Sequence, residues 1–318
     1  GVVWGRGAMD DKGSLFAICE AVERLLADGH VPRRTLLVAF GHDEEVGSTG
    51  AAATAALLAE RGIEPLLVVD EGLAVLEDVL PGISQPIALV GIAEKGYATV
   101  ELSVTAEGGH SSTPPPQTAV GVLAGAVQRV EQSPLPGGFE GVSRELFDHL
   151  APELPFHLRL PLANLWLFGP LVERQLAADP SMNALLRTTT AATMIEGSVK
   201  ENVLPIRARA AVNFRLLPGD RSEELLEHVR RAVADARVEI RFPRDPSEAS
   251  PISPLDGAGF PLLQRTIAEV FPAALVAPGL VLGGTDSRQY TRVTPEIFRF
   301  TPCVFRPDAL RLAHGTNE

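Results

Sequence analysis

Three short acidic runs could hold cations or move protons: Asp10-Asp11, Asp43-Glu44-Glu45 and Asp70-Glu71. Turn-forming residues surround them, with Gly5-Arg6-Gly7 ahead of the first, Gly47 after the second and Gly72 after the third. One such run, taken alone, is most simply a solvated turn. Carboxylates gathered at one rim behave differently, because they repel each other and lose solvation, and so require protons or a cation. A divalent metal is the economical answer. His314 adds a nitrogen donor, and carboxylate with imidazole suits Zn²⁺ better than Mg²⁺ or Ca²⁺.

The runs act together only if the chain delivers them to one place. Apolar periodicity predicts a helix from a cap at Ser14 to a stop at Gly29, a strand over 35–40, a helix over 51–60 and a buried strand over 65–69. This alternation indicates an α/β fold, a mainly parallel sheet flanked by helices. Ligands bind such sheets beyond the carboxyl ends of the strands, where the second and third acidic runs fall. After Lys95-Gly96 the pattern becomes strictly alternating over 98–105, then gives a helix over 118–130, strands over 187–196 and 207–216, a helix over 222–233 and a strand over 238–242. That β-α-β-β-α-β order predicts a ferredoxin-like α+β domain, an antiparallel sheet with helices on one face. A Pro- and Leu-rich stretch, 134–186, is too long for a loop and reads as a helical insertion in it. A helix over 262–270 and a strand over 275–282 return to the first style. The expected division is an outer domain made of 1–96 and 248–318, with a second domain over 97–247 inserted into it.

Composition narrows the partners. Acidic residues outnumber basic ones by 40 to 28, for a formal charge of −12, which disfavours nucleic acid and anionic membrane. No apolar run approaches the ~18 residues that span a bilayer, and residues 1–7 lack the pattern of a secretory signal. A cytoplasmic location is assumed, since any export signal would precede Gly1. Cys19 and Cys303 are too few for a disulfide scaffold or a thiolate zinc site and read as core residues. The Lys12-Gly13-Ser14 order is wrong for a phosphate loop, and neither a Gly-x-Ser-x-Gly elbow nor a Cys-His motif is present. Water activated by metal is the nucleophile that remains.

Seven motifs occur in order along nearly the whole chain: Gly5-Arg6-Gly7-Ala8-Met9-Asp10-Asp11-Lys12-Gly13, His42-Asp43-Glu44-Glu45-Val46-Gly47, Val69-Asp70-Glu71-Gly72, Gly109-His110-Ser111-Ser112, Asn202-Val203-Leu204-Pro205, Gly283-Gly284-Thr285-Asp286 and His314-Gly315-Thr316-Asn317-Glu318. Together they resemble the M20 metallopeptidases. Glu94-Lys95-Gly96, the Ser-Ser-Thr-Pro-Pro tail of the His110 motif and the long insertion are most similar to the carboxypeptidase S and N-acyl amino acid hydrolase branch.

The resemblance makes 1–96 and 248–318 the catalytic domain and 97–247 an inserted lid or dimerisation-type domain, and it implies a site with two zinc ions bridged by Asp10, with a cis peptide bond after it. Glu45 resembles the terminal ligand of one zinc, beside His314, and Glu71 a ligand of the other, with Asp70 as the alternative because strand alternation points one of the two inward. Glu44 resembles the general base, which takes a proton from the attacking water and passes it to the leaving amine. His110 resembles the family histidine that stabilises the oxyanion, contributed in dimeric members by the neighbouring subunit. Asn202 and Arg215 resemble substrate-site positions, Arg215 for a carboxylate and Thr285 for the same group through its hydroxyl and nearby amides. The implied partners are a peptide or small-molecule substrate with a free carboxylate and a second copy of the chain joined through the lid.

One family feature has no counterpart. None of the seven histidines, His30, His42, His110, His149, His157, His228 and His314, is followed two positions on by Asp, so the His-x-Asp segment of the second zinc site is missing. The stretch is therefore expected to be part of a longer parent, holding one zinc or none by itself. Two functions fit: a zinc-dependent hydrolase of amide bonds next to a free carboxylate, or a non-catalytic relative that binds a small carboxylate ligand in the same cleft.

Overall fold

The computed structural model describes residues 5–78 and 83–306. Its first sheet has the strand order β1 (Val68–Leu76), β10 (Ile297–Phe305), β2 (Ile87–Glu94) and β9 (Leu275–Val281). β1 and β10 are parallel, as are β2 and β9, and the two pairs join where β10 lies antiparallel to β2. Periodicity predicts neither β2 nor β10, although they occupy the middle of the sheet. β2 is apolar and buried on both faces, so it has no alternation to read.

Helices cover this sheet through apolar faces. Ala51 and Ala55 of α2 (Thr49–Glu60) pack with Tyr290, Val293 and Ile297. Phe260 and Ile267 of α9 (Gly259–Val270) pack with Val90, Leu280 and Phe298. α4 (Gly141–Leu150) sets Leu146 and Leu150 against Ile87 and Ala277, so part of the 134–186 insertion packs on the first sheet. The insertion continues as α5 (Phe156–Ala163), α6 (Leu165–Leu176) and α7 (Pro180–Leu186).

Two expectations near the start need correction. Residues 35–40 join no ladder among the described residues, and Leu36 and Phe40 are 64% and 53% exposed. A strand needs a neighbour to take its backbone hydrogen bonds, and an apolar run alone supplies none. α1 (Gly13–Ala27) forms where its periodicity places it, yet none of its residues is buried. No described helix is long and apolar enough to cross a membrane.

The second sheet is antiparallel, in the order β5 (Thr189–Glu196), β7 (Arg207–Leu216), β3 (Gly96–Thr105), β8 (Val238–Arg241). Val100, Leu102, Val212 and Phe214 point to one face, where Leu123 and Ala126 of α3 (Ala119–Glu131) and Leu225 and Val229 of α8 (Ser222–Val233) meet them. Burying each such side chain contributes about 1.5–3 kcal/mol. Thr118 caps α3, its hydroxyl accepting from Gly121 N at 3.1 Å. A small ladder pairs β4 (Gly109–His110) with β6 (Val203–Leu204). The whole unit is inserted between β2 and β9, and only Lys95 separates β2 from β3.

Candidate functional site

The acidic runs are handed to one cavity by different local devices. Asp10 and Asp11 lie in an irregular turn, Ala8–Lys12, directly before α1, and the bond between them is cis, as the resemblance implies. In the second run the three acids divide. Asp43 turns back on α2: its Oδ2 accepts from Thr49 N at 2.9 Å and Thr49 Oγ1 at 2.5 Å, and its Oδ1 accepts from Gly50 N at 3.0 Å. The Thr49 hydroxyl and these amides hold its pKa down at about 2. Asp43 is thus a helix cap. Glu44 and Glu45, in the turn Glu44–Val46, line the cavity instead.

The third run sits inside β1, where the sequence places it in a loop after a strand. The ladder to β10 slips between Asp70 and Leu73, and Gly72 adopts φ 149°. Both acids therefore reach the cluster, where simple alternation allows one. Asp70 Oδ1 accepts from Glu71 N at 3.0 Å, whereas Asp70 Oδ2 is buried with no partner. Asp286 Oδ1 is a second buried carboxylate oxygen without one. Asp286 belongs to the Gly283-Gly284-Thr285-Asp286 motif but was not singled out from the sequence; its place in the cluster depends on a chain reversal that motif reading does not show.

The electrostatics record this crowding. Burial, then Glu45, Asp286, Asp10 and Asp70, raise Glu44 to a pKa of about 7. Burial, then Asp11 and Asp10, push Glu71 well above the carboxylate range. Burial raises Asp70 as well. An all-oxygen acidic set with orphaned buried oxygens fits a divalent cation in charge and donor type. Among the described residues no three His, Cys, Asp or Glu side chains are already gathered within reach of one ion. His314 lies outside the described residues.

The cavity, of about 1150 Å³, is lined by Asp10, Asp11, Glu44, Glu45 and Glu71 on the catalytic side and by Tyr97 and Arg215 on the lid side. The Arg215 guanidinium stands 4.8 Å from the centre of the Tyr97 ring, which steadies it by a cation–π contact. Thr285 reaches the wall of the cavity but is 6% exposed, and its hydroxyl donates to Glu94 Oε1 at 2.6 Å. The hydroxyl is thereby committed to the protein. Glu94 also takes Arg299 Nε at 2.9 Å and Arg288 Nε at 3.1 Å. Burial alone would raise the Glu94 pKa, but these cations and hydroxyls outweigh it and lower it. Sequence reading missed this network because Glu94 and its partners are far apart in the chain.

His110 and Asn202 do not line that cavity. They lie together on the lid, where Ser111 N donates to Asn202 O at 3.1 Å and Ser112 N donates to His110 Nδ1 at 3.2 Å. His110 is exposed, and Asn202 Oδ1 is buried with no partner.

A helix-flanked sheet with an inserted antiparallel unit, and acids from two turns and an irregular strand brought to one cavity, fits a peptidase-type hydrolase. Residues 1–318 match the model for peptidase family M20/M25/M40, and the chain belongs to that family, which implies a metal. It is 44% identical over 321 residues to the N-fatty-acyl-amino acid synthase/hydrolase PM20D1 of Xenopus tropicalis, covering 100% of this chain and 62% of the relative. It is 31% identical over 362 residues to carboxypeptidase S of Saccharomyces cerevisiae, covering 99% of this chain and 62% of the relative. The chain thus spans less than two thirds of the length of these relatives. Among solved structures, it superposes on the di-peptidase Dug1p from Saccharomyces cerevisiae with a TM-score of 0.61 at 16% identity, over 99% of this chain and 68% of that one. The metallo-carboxypeptidase Sso-CP2 from Sulfolobus solfataricus gives 0.59 at 16% identity, over 99% and 72%. Both are likenesses of fold.

Proposed function

We propose that the intact protein is a zinc-dependent hydrolase cutting an amide bond next to a free carboxylate, either a C-terminal peptide bond or the amide of an N-acyl amino acid. The observation that carries this reading is the cavity that sets Asp10, Glu44, Glu45 and Glu71 opposite Arg215. The names of two relatives, an N-fatty-acyl-amino acid synthase/hydrolase and a carboxypeptidase, support substrates of that kind.

Asp10, Glu45 and His314 would hold one zinc ion, and Asp10 with Asp70 or Glu71 would hold a second. When bound, the ions polarise the amide carbonyl and acidify the attacking water. Glu44, next in sequence to the proposed ligand Glu45, takes the water's proton and delivers it to the leaving nitrogen. Arg215 holds the substrate carboxylate in its fork, and the cavity beyond leaves room for a side chain and an acyl group. His110 and Asn202, set apart from the acids of their own chain, would serve the cavity of a second copy as oxyanion donor and substrate contact.

The test is Glu44→Gln in the full-length, zinc-loaded protein, assayed on a panel of N-acyl amino acids and dipeptides. Hydrolysis should fall by roughly 10²–10⁴-fold, with zinc content unchanged by elemental analysis. Turnover at the wild-type rate would remove Glu44 from its role.

A further inference from the structure

Glu94, Lys95 and Gly96 take no part in that chemistry, yet all three are buried. They form the first of the two linkers that join the lid to the catalytic sheet; residues 247–250 lie on the second. The linkers run side by side. Tyr97 N donates to Ser247 O at 2.7 Å, Ser247 N returns to Tyr97 O at 2.8 Å, and Ser250 N donates to Glu94 O at 3.0 Å. A Cβ on Gly96 would stand 2.6 Å from Ala249 N and Ser247 O, so only glycine lets the backbones come this close.

One guanidinium spans both. Arg288 Nε donates to Glu94 Oε2 at 3.1 Å, Nη1 to Ser247 Oγ at 2.5 Å, and Nη2 to Lys95 O at 3.4 Å and Glu248 O at 3.3 Å. On the lid side, Glu248 Oε1 accepts from Ser222 N at 3.2 Å and Ser222 Oγ at 2.5 Å, so the second linker is fastened to the start of α8. On the catalytic side, Glu94 is held by Arg299, Thr285 and Ser287, next to Asp286. A chain of contacts therefore runs from the acidic cluster through Glu94 and Arg288 to both linkers and into a lid helix.

We propose that Arg288 is a positioning residue that fixes the lid at a set angle to the catalytic sheet and so keeps Arg215 over the acids. This rests on the reading of the cavity as the reaction site. A planar fork with five donors can satisfy acceptors on both linkers and on Glu94 at once, whereas a lysine offers a single point charge. Without it, the linkers keep their backbone bonds but lose their common tie to the buried carboxylate. Substrate binding should suffer more than the bond-breaking step, because Arg215 acts on the substrate carboxylate and the acids stay where they are.

The experiment uses the full-length, zinc-loaded protein with Cys19→Ser and Cys303→Ser, carrying spin labels at Glu60→Cys on α2 and Glu227→Cys on α8. Arg288→Gln and Arg288→Lys should both broaden the label-to-label distance distribution and raise KM about tenfold or more, while kcat changes less than about threefold and zinc content stays constant. Ser247→Ala, which removes one acceptor, should broaden it less and serves as the readout if the Arg288 variants do not fold. A distribution as narrow as wild type in the folded variants, or a fall in kcat at unchanged KM, would overturn the proposal. Broadening in a protein whose hydrolysis does not depend on Glu44 would leave the lid tie standing and remove the proposed function.

Discussion

Burial and mutual repulsion raise the proton affinity of the cavity acids. Glu44 has its pKa raised to about 7 and Glu71 is pushed higher, both first by burial and then by neighbouring carboxylates. Each carboxyl binds its proton more tightly in the folded chain than at its ordinary value of 4.5. The stability Glu44 contributes is complete below that value and is lost as pH rises through about 7, and the loss continues up to about 10, where Glu71 ionises. The thermal midpoint of the chelator-treated protein should therefore fall as the buffer passes from mildly acidic to mildly alkaline. Zinc should reverse the trend, since ligands bind it ionised, and titration calorimetry in buffers of different ionisation enthalpy should show protons released at neutral pH. A midpoint that is flat or rises with pH in the absence of metal would contradict this account.

At the scale of the element, β1 delivers two acids to the site because it is irregular. Gly72 sits at φ 149°, and a Cβ there would meet Arg299 Cβ at 2.6 Å. Gly72→Ala should destabilise the protein by about 1–3 kcal/mol, through backbone strain and overpacking. It should also weaken zinc binding, as β1 shifts Asp70 and Glu71 away from the cluster. Urea unfolding and a zinc titration check both parts, and an unchanged zinc affinity would show that the slip in the ladder does not place the acids. This irregularity marks the limit of what sequence shows. β7 and α8 fall where alternation and helical spacing put them, since one face of each is buried and the other wet. β10 hides because Arg299 and Pro302 interrupt its apolar run, and the burial of Arg299 depends on Glu94 from the neighbouring strand β2. The acids themselves were legible as types at turns. What was not legible was the division among them: Asp43 spent on capping, Thr285 committed to Glu94, and Asp286 brought in from the far end of the chain.

At the scale of the whole molecule, catalytic sheet, lid and insertion meet around one buried cation. Lys95 is 1% exposed, and its Nζ donates to Ala184 O and Arg187 O, both at 2.8 Å, at the end of α7. Burial lowers its pKa from 10.5 to about 8. Between those values the unfolded chain holds more protons than the folded one, so wild type should gain stability over Lys95→Met as pH rises from about 8 to about 10.5. Urea midpoints measured across that window check it, and a constant difference would mean that the amine is not desolvated. The position of Lys95 has a further consequence. Side chains along a strand alternate between faces, and a single residue separates β2 from β3. The two sheets thus share one running phase, and inserting or deleting a residue at the junction would turn the helix-covered side of the lid over relative to the cleft. Lids from related proteins could be exchanged only as cassettes cut in phase at that point.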